Sequence, residues 1–277
     1  MFFVVVLVSG CLPWGDASQW SGAPAGVTSW DWILDETSIP SRPPAVDFLG
    51  LDAFDSDARY VQEAVDAGTT VWCYVSVGTA EDYRDDWAEL VALDNAARAN
   101  GEEPILGGDL PAWPGERWLN IQVYPVFLDV MISRLRTCAE KGFTLVEFDN
   151  MDAYTNDTGL TLTEQDTRAY IATLVGEAND RGLGVIHKNA EGLIDDLEPS
   201  MAALLLESCV LDDFCAAGAP FLEAGKPVLN AEYPARWAEA GRRVDVEEIC
   251  TIADAAGANT ILKRPDLDDR SIVCAAQ

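Results

Sequence analysis

Histidine is almost absent from this chain, which has one His in 277 residues. A metal centre built from several histidines is therefore excluded, and the spacing of the seven cysteines fits no zinc pattern. A cysteine nucleophile has no ready partner, because His is its usual base. A G-x-S-x-G motif is also lacking, so a serine nucleophile of the α/β-hydrolase kind has no support. We expect no metal and no cofactor.

Basic residues are scarce as well. The chain has 18 Lys plus Arg against 47 Asp plus Glu, which gives a formal net charge of −29. Such a surface repels the phosphates of nucleic acid, so we expect no nucleic-acid partner. It would attract a cationic partner through long-range electrostatics. The alternative is that the acidic residues only keep the protein soluble or adapt it to salt.

The N-terminus begins with an apolar run that is too short to span a bilayer as a stable anchor, MFFVVVLVSGC, at residues 1–11. Its end, from Val8 to Cys11, resembles the bacterial lipoprotein box, in which the Cys becomes the lipidated first residue. The absence of Lys or Arg before the run departs from the lipoprotein pattern, and an ordinary signal peptide cut elsewhere is the alternative. Both readings predict export of the chain. The lipoprotein box predicts a bacterial cell-surface lipoprotein attached to the membrane through Cys11, and the ordinary signal peptide predicts a secreted protein. Residues 12–26 are interpreted as a linker and 27–277 as one domain.

Export makes disulfide bonds permissible. Six cysteines remain after Cys11, and their connectivity cannot be deduced from the sequence. Proximity along the chain favours a Cys209–Cys215 pair and a Cys250–Cys274 pair.

Strand-like apolar runs alternate with helical patterns along the domain, which predicts a parallel sheet. Several glycines lie shortly before a strand, where the turn after a helix favours them. Eight such units predict an α/β protein with a single (β/α)8 TIM barrel and an elaborated loop after strand three, at residues 78–143. An open doubly wound sheet is the alternative, but no glycine-rich phosphate loop follows the first strand. The strand candidates are 27–34, 46–54, 69–78, 144–150, 183–189, 202–208, 227–233 and 259–265.

Carboxylates and aromatic residues gather at the ends of these predicted strands. The active site of such a barrel lies at the carboxyl ends of its strands, so these side chains would surround one site suited to a sugar. Asp149 and Glu207 each close an apolar strand and form the best pair for acid, base or nucleophile chemistry. Glu147 and Asp149 lie on the same side of their strand. The alternative for each acid is a structural ion pair with a residue such as Lys188.

One segment in particular, GFTLVEFDNMDAY at residues 142–154, resembles the endo-α-1,4-polygalactosaminidase family, glycoside hydrolase family 114. The family shows the pattern G-F-x-G-V-E-x-D-N-x-D-x-Y, a strand ending in Lys-Asn, a Glu before a Cys and a late Glu-Tyr. Here the last three are Lys188-Asn189, Glu207 and Glu232-Tyr233. CYVSVGTAEDYRDD and ERWLNI match two further pieces, although Asn120 replaces the usual Asp. The resemblance covers about residues 27–265.

The resemblance implies a barrel enzyme that cuts α-1,4-linked galactosamine polymers internally with two carboxylates. Carried over by position, Asp149 would be the nucleophile or base and Glu207 the acid/base. A deacetylated galactosamine polymer is a polycation, which agrees with the acidic composition. The residues expected to bind substrate are Trp32, Asp52, Tyr74, Glu147, Asn150, Asp152, Tyr154, Lys188, Asn189, Glu232 and Tyr233.

Two alternatives to a retaining endo-glycosidase stay open at this point. The first is a surface lipoprotein that binds glycans on the same barrel without cleaving them. The second is a barrel in which the acids only form ion pairs, which the small number of basic residues disfavours.

Overall fold

The computed structural model of the protein describes residue 27 and residues 29–274. The predicted signal segment, residues 1–11, and the predicted linker, residues 12–26, lie outside the described residues, as does Cys11. Within the described part of the chain, no helix combines the length and the hydrophobicity needed to cross a membrane.

A curled sheet of nine strands forms the centre of the molecule. Eight of its strands run parallel, and each neighbour in the sheet is the next predicted strand along the chain. The eight-stranded α/β barrel prediction is therefore confirmed. The parallel strands are β1 (Trp30–Ile33), β2 (Phe48–Asp52), β3 (Thr70–Ser76), β7 (Leu145–Asp149), β8 (Gly184–Lys188), β9 (Ala203–Glu207), β10 (Val228–Glu232) and β11 (Asn259–Leu262).

Side-chain and loop contacts join the two ends of the sheet. A short strand, β12 (Ile272–Val273), pairs antiparallel with β11. Trp30 Nε1 on β1 donates a hydrogen bond to the carbonyl of Asn259 on β11 at 3.0 Å. Lys263 Nζ, directly after β11, forms a buried ion pair with Asp31 Oδ1 at 2.8 Å. These contacts bring the first strand against the last parallel strand.

Aromatic side chains fill the interior of the barrel. Trp72 packs against Trp30 and Phe48, with ring centroids 6.1 Å apart in both pairs. Gly50 lies on the neighbouring strand, and a Cβ at this position would come within 2.3 Å of the Trp72 ring. A small residue is therefore required where the rings cross the barrel axis.

Helices cover the outside of the barrel and return the chain to the next strand. The turn glycines predicted before the strands have positive φ angles, for example +91° at Gly142 and +76° at Gly182, which a side chain would strain. Helix α4 begins with a capping box in which Thr163 and Asp166 satisfy each other's backbone N–H groups. The helices outside the loop after β3 are α1 (Ala58–Asp66), α4 (Glu164–Asn179), α5 (Ile194–Leu197), α6 (Ala219–Glu223), α7 (Pro234–Glu239) and α8 (Val246–Ala255).

The long connection after β3 forms a small subdomain-like insertion. Its three short strands make an antiparallel sheet in the order β4–β6–β5, beside two helices. Arg134, whose side chain is 1% exposed, ties parts of the insertion together through Glu81 at 3.0 Å and Asp86 at 2.7 Å, and it donates to the carbonyl of Ser76 on β3 at 2.9 Å. The elements are β4 (Thr79–Glu81), α2 (Trp87–Asn100), β5 (Leu106–Asp109), β6 (Glu116–Leu119) and α3 (Leu128–Glu140).

Three disulfide bonds link the six described cysteines. The predicted Cys209–Cys215 and Cys250–Cys274 pairs are both present. The third joins Cys73 on β3 to Cys138 on α3 across a sequence separation of 65 residues. This bond ties the end of the insertion back to the barrel strand from which it departs.

Candidate active site

A cavity of about 720 Å³ opens at the carboxyl ends of the barrel strands. Nine of the residues predicted from the sequence line it, together with residues from the insertion and from the loop after β11. The nine predicted residues are Trp32, Asp52, Tyr74, Asp149, Asn150, Asp152, Lys188, Asn189 and Glu207.

Lys188 stands at the centre of this cavity's floor, with its side chain 2% exposed. Its Nζ lies 3.1 Å from Asp149 Oδ1, 2.8 Å from Glu207 Oε2 and 3.7 Å from Glu147 Oε1. The bridged oxygens of Asp149 and Glu207 are therefore no more than 5.9 Å apart, the sum of the two shorter distances. The ammonium also lies 4.9 Å from the centroid of the Trp32 ring. One cation thus gathers three carboxylates at the ends of β7 and β9.

The end of β7 fixes the position of Asp149. Tyr74 donates its hydroxyl to Asp149 Oδ2 at 3.1 Å, and the backbone N–H of Asn150 donates to Oδ1 at 2.9 Å. Asn150 adopts a left-handed conformation with φ of 61°, so the chain turns sharply after the strand. Gly78 makes room for this turn, because a Cβ there would lie 1.8 Å from the Asn150 carbonyl oxygen. The carboxylate is partly exposed to the cavity, at 18%.

Glu207 ends β9 and receives hydrogen bonds from three side chains. Lys188 and Asn189 donate to Oε2, and the Tyr233 hydroxyl donates to Oε1. Burial alone would raise the pKa of Glu207, but Lys188, Tyr233 and Asn189 together hold it below the ordinary glutamate value. Glu207 is therefore ionised at neutral pH.

Glu147 lies beneath the cavity and not on its wall. Its side chain is fully buried, and Trp72 Nε1 donates to its Oε2 at 2.8 Å. Burial raises its pKa to about 8, with Asp149 adding to the shift and Lys188 opposing it. Glu147 is therefore mostly protonated and uncharged near neutrality. Lys188 accordingly forms its ion pairs with Asp149 and Glu207.

The remaining predicted residues occupy three different positions. Glu232, predicted to line the sugar site, is fully buried and accepts hydrogen bonds from Val210 N, Asn230 Nδ2 and Trp237 Nε1. It therefore supports the loop after β9 and does not line the cavity. Tyr233 is 5% exposed and meets the site through its hydrogen bond to Glu207. Tyr154 lines a second, neighbouring cavity.

The second cavity, of about 530 Å³, continues the first one along the surface. Asp152, Asn189 and Glu207 line both, so the two cavities meet at the catalytic candidates. Together they form one cleft with space on both sides of Glu207. A polymer chain could therefore lie across the carboxylates without an end entering the site.

The insertion contributes site residues that strand-end reasoning did not find. Arg84 Nη1 holds Asp52 Oδ1 at 3.0 Å, and Arg84 Nη2 holds Glu81 Oε1 at 3.0 Å. Tyr83 and Glu116 line the cavity beside it. Arg84 and Glu81 lie within the quoted CYVSVGTAEDYRDD stretch and Glu116 opens ERWLNI, so the signal was present in the family motifs.

A close pair of carboxylates at the carboxyl end of a (β/α)8 barrel, in a cleft with aromatic walls, defines a glycoside hydrolase. The model of glycoside hydrolase family GH114 matches residues 12–277, so the chain belongs to this family.

Comparison with solved structures agrees with this assignment. Aspergillus fumigatus Ega3, solved in complex with galactosamine, is 30% identical with a TM-score of 0.79, and the match covers 92% of this chain and 98% of that one. The glycoside hydrolase domain of PelA from Pseudomonas aeruginosa is 16% identical with a TM-score of 0.61, over 90% and 99% of the two chains. The latter shows the shared fold.

An uncharacterized protein from Thermotoga maritima is 30% identical over 105 residues, which are 38% of this chain. The match spans only 30% of that relative's length. It adds a related sequence without adding an activity.

Proposed function

We propose that the protein is an exported, endo-acting glycoside hydrolase that cleaves α-1,4-linked galactosamine polymers with Asp149 and Glu207. The observation that carries this proposal is the placement of both carboxylates around Lys188, at 3.1 and 2.8 Å, in the middle of an open cleft. Membership of GH114 and the likeness to Ega3 with bound galactosamine support the same reaction and sugar.

The separation of the carboxylates favours a retaining mechanism. Retaining glycosidases hold their two carboxyl groups about 5–5.5 Å apart, whereas inverting ones leave about 6.5–9.5 Å for a water. The bridged oxygens of Asp149 and Glu207 lie no more than 5.9 Å apart. The distance therefore suits direct attack of one carboxylate on the anomeric carbon, followed by hydrolysis of the glycosyl-enzyme.

The roles within the pair follow from the family pattern, with Asp149 as nucleophile and Glu207 as acid/base. The electrostatics around Glu207 favour the reverse assignment, because its lowered pKa suits an ionised nucleophile. Azide rescue of Asp149→Gly and Glu207→Gly separates the two. Azide replaces a missing nucleophile to give the inverted glycosyl azide, whereas loss of the acid/base gives the retained one.

The acidic composition supports a cationic substrate. With a net charge of −29, the protein attracts a polycationic, deacetylated polymer at long range. The cleft repeats this at short range, since Asp152 lines both of its cavities and Glu191 lines the second. Raised ionic strength should therefore lower kcat/KM on the deacetylated polymer more than on a neutral one.

Export is supported by the three disulfide bonds, which are typical of oxidising compartments. Lipid attachment at Cys11 is part of the proposal, and metabolic labelling with a fatty-acid analogue in a bacterial host tests it. Label on the wild type and none on Cys11→Ser is the expected result. Equal labelling of both proteins would refute it.

A further inference from the structure

Buried carboxylates in this protein normally have a cation beside them. Asp31 pairs with Lys263, Asp52 and Glu81 pair with Arg84, and the three acids of the barrel floor share Lys188. This is the expected pattern, because an ionised carboxylate without a counter-charge is costly to bury.

Glu116 departs from that pattern. The residue is 6% exposed, yet no Lys or Arg of the described chain comes within ion-pair distance of its carboxylate. Its side-chain hydrogen bond comes from the Thr79 hydroxyl, which donates to Oε2 at 2.8 Å. Glu232 is fully buried and also has no Lys or Arg of the described residues beside it, but three donors satisfy it away from the cavity. Glu116 instead lines the cavity wall.

The wall around Glu116 presents two exposed aromatic faces. Tyr83 is 62% exposed and Trp113 is 52% exposed, and both line the same cavity as Glu116. Both rings lie on the wall of one cavity, and flat aromatic rings suit the apolar faces of sugars. The turn that joins Trp113 to Glu116 contains Gly115, whose φ of +98° a side chain would strain.

Neighbouring charges make Glu116 a site for a cation. Burial raises its pKa to about 7, Thr79 opposes the shift, and Glu81 and Asp149 raise it further, while Arg84 lowers it. The tyrosines that face this acid, Tyr74 and Tyr83, have raised pKa values and stay neutral. The local charge is thus negative when Glu116 is ionised. An ammonium group beside Glu116 would offset the cost of burying this charge.

We propose that Glu116, flanked by Tyr83 and Trp113, forms a subsite that binds the ammonium group of a deacetylated amino sugar and so selects deacetylated stretches of the polymer. This inference rests on the proposed function and identifies the residue of the cleft that recognises the charge of the sugar. An ammonium supplies the counter-charge that Glu116 lacks and donates to its free oxygen. An acetamido group is neutral and bulkier, so it leaves the acid unpaired.

The test compares Glu116→Gln with the wild type on one galactosamine polymer before and after N-acetylation. The Gln amide oxygen still accepts from Thr79, so the wall keeps its hydrogen bond. Charge-assisted hydrogen bonds lead us to expect KM for the deacetylated polymer to rise about tenfold or more, with kcat within about threefold. KM for the acetylated polymer should stay unchanged. Glu103→Gln, an exposed acid of the same insertion, is the matched control.

The pH dependence gives a second readout that loss of folding would not imitate. The wild-type KM should rise as pH falls through about 7, because Glu116 takes up a proton and loses the ammonium. The KM of Glu116→Gln should not rise as pH falls through this range. Equal KM values and equal pH profiles in the two proteins would overturn the subsite.

Calorimetric binding of a galactosamine oligomer in an Asp149→Asn background separates this inference from the proposed function. Binding that weakens tenfold on Glu116→Gln supports the subsite even where turnover is slow. Wild-type cleavage with no effect of Glu116→Gln refutes the subsite alone. If the wild type neither cleaves nor binds the polymer, both the subsite and the proposed function are refuted.

Discussion

Lys188 is the residue whose removal tests the electrostatic design of the site most severely. Its single ammonium holds Asp149, Glu207 and, more distantly, Glu147, and its side chain is almost fully buried. Lys188→Met keeps an unbranched side chain that is one atom shorter and removes the charge. The bridged oxygens of Asp149 and Glu207, which lie no more than 5.9 Å apart by the summed Nζ distances of 3.1 and 2.8 Å, then have no cation between them.

The expected cost is large because breaking a buried pair leaves an uncompensated charge. We expect Lys188→Met to lower the free energy of unfolding by about 3–5 kcal/mol at neutral pH. An exposed ion pair provides the control, since Arg59→Met removes a pair whose side chains are 87% and 48% exposed. That variant should lose no more than about 0.5 kcal/mol.

The pH dependence of this loss follows from the sign of the Glu207 shift. In the wild type its folded pKa lies below the unfolded value of 4.5, so its stabilisation is present above that pH and fades below it. Without Lys188 the folded pKa moves above the unfolded value, and the carboxylate destabilises the fold at neutral pH. The difference between variant and wild type should therefore shrink as pH falls from about 7.5 to about 4.5.

Denaturant unfolding followed by tryptophan fluorescence, at both pH values, measures these differences. A Lys188→Met variant that unfolds within about 0.5 kcal/mol of the wild type at pH 7.5 would refute the reasoning. A loss that does not change with pH would contradict the assignment of its cause.

Two further predictions concern groups beside the site. The wild type should lose stability as pH rises from about 4.5 to about 8, because the unfolded chain releases the Glu147 proton from 4.5 upward and the folded chain keeps it to about 8. Glu147→Gln should lose less stability over this range. Denaturant unfolding across this range checks it. Replacing Cys73 and Cys138 by Ala should cost about 2 kcal/mol more than replacing Cys209 and Cys215, because the loop is longer, with 65 residues against 6. Thermal unfolding of both double variants checks it.

Each of these has a contradicting result. A Glu147→Gln variant whose stability tracks the wild type at every pH would show that Glu147 titrates alike in both states. Equal losses from the two disulfide replacements would show that loop length does not control their contribution.

The barrel and the placement of Asp149 and Glu207 at the cavity were predictable because both depend on local pattern. Alternation of apolar strands with helical stretches fixes a parallel sheet, and Asp149 and Glu207 interrupt apolar runs at the point where a barrel strand ends. The turn glycines are similarly local, since a positive φ such as that of Gly182 is a property of one residue.

The rest of the site depends on tertiary packing that spacing along the chain does not encode. Arg84 and Glu116 reach the cavity only because the insertion folds back as an antiparallel sheet over the barrel. Glu232 shows the converse, because a position at a strand end does not decide whether the side chain faces the cavity or a loop behind it. The joint pairing of Lys188 with three acids likewise arises from tertiary packing.

The most direct test of the central claim is release of new reducing ends from a deacetylated α-1,4-linked galactosamine polymer by the purified protein. Asp149→Asn and Glu207→Gln run beside the wild type, with Asp157→Asn, an exposed acid, as the matched control. The account predicts internal cleavage by the wild type and the control, and a loss of about a thousandfold or more in each catalytic variant. Undiminished release by either catalytic variant, or none by a folded wild type, would contradict it.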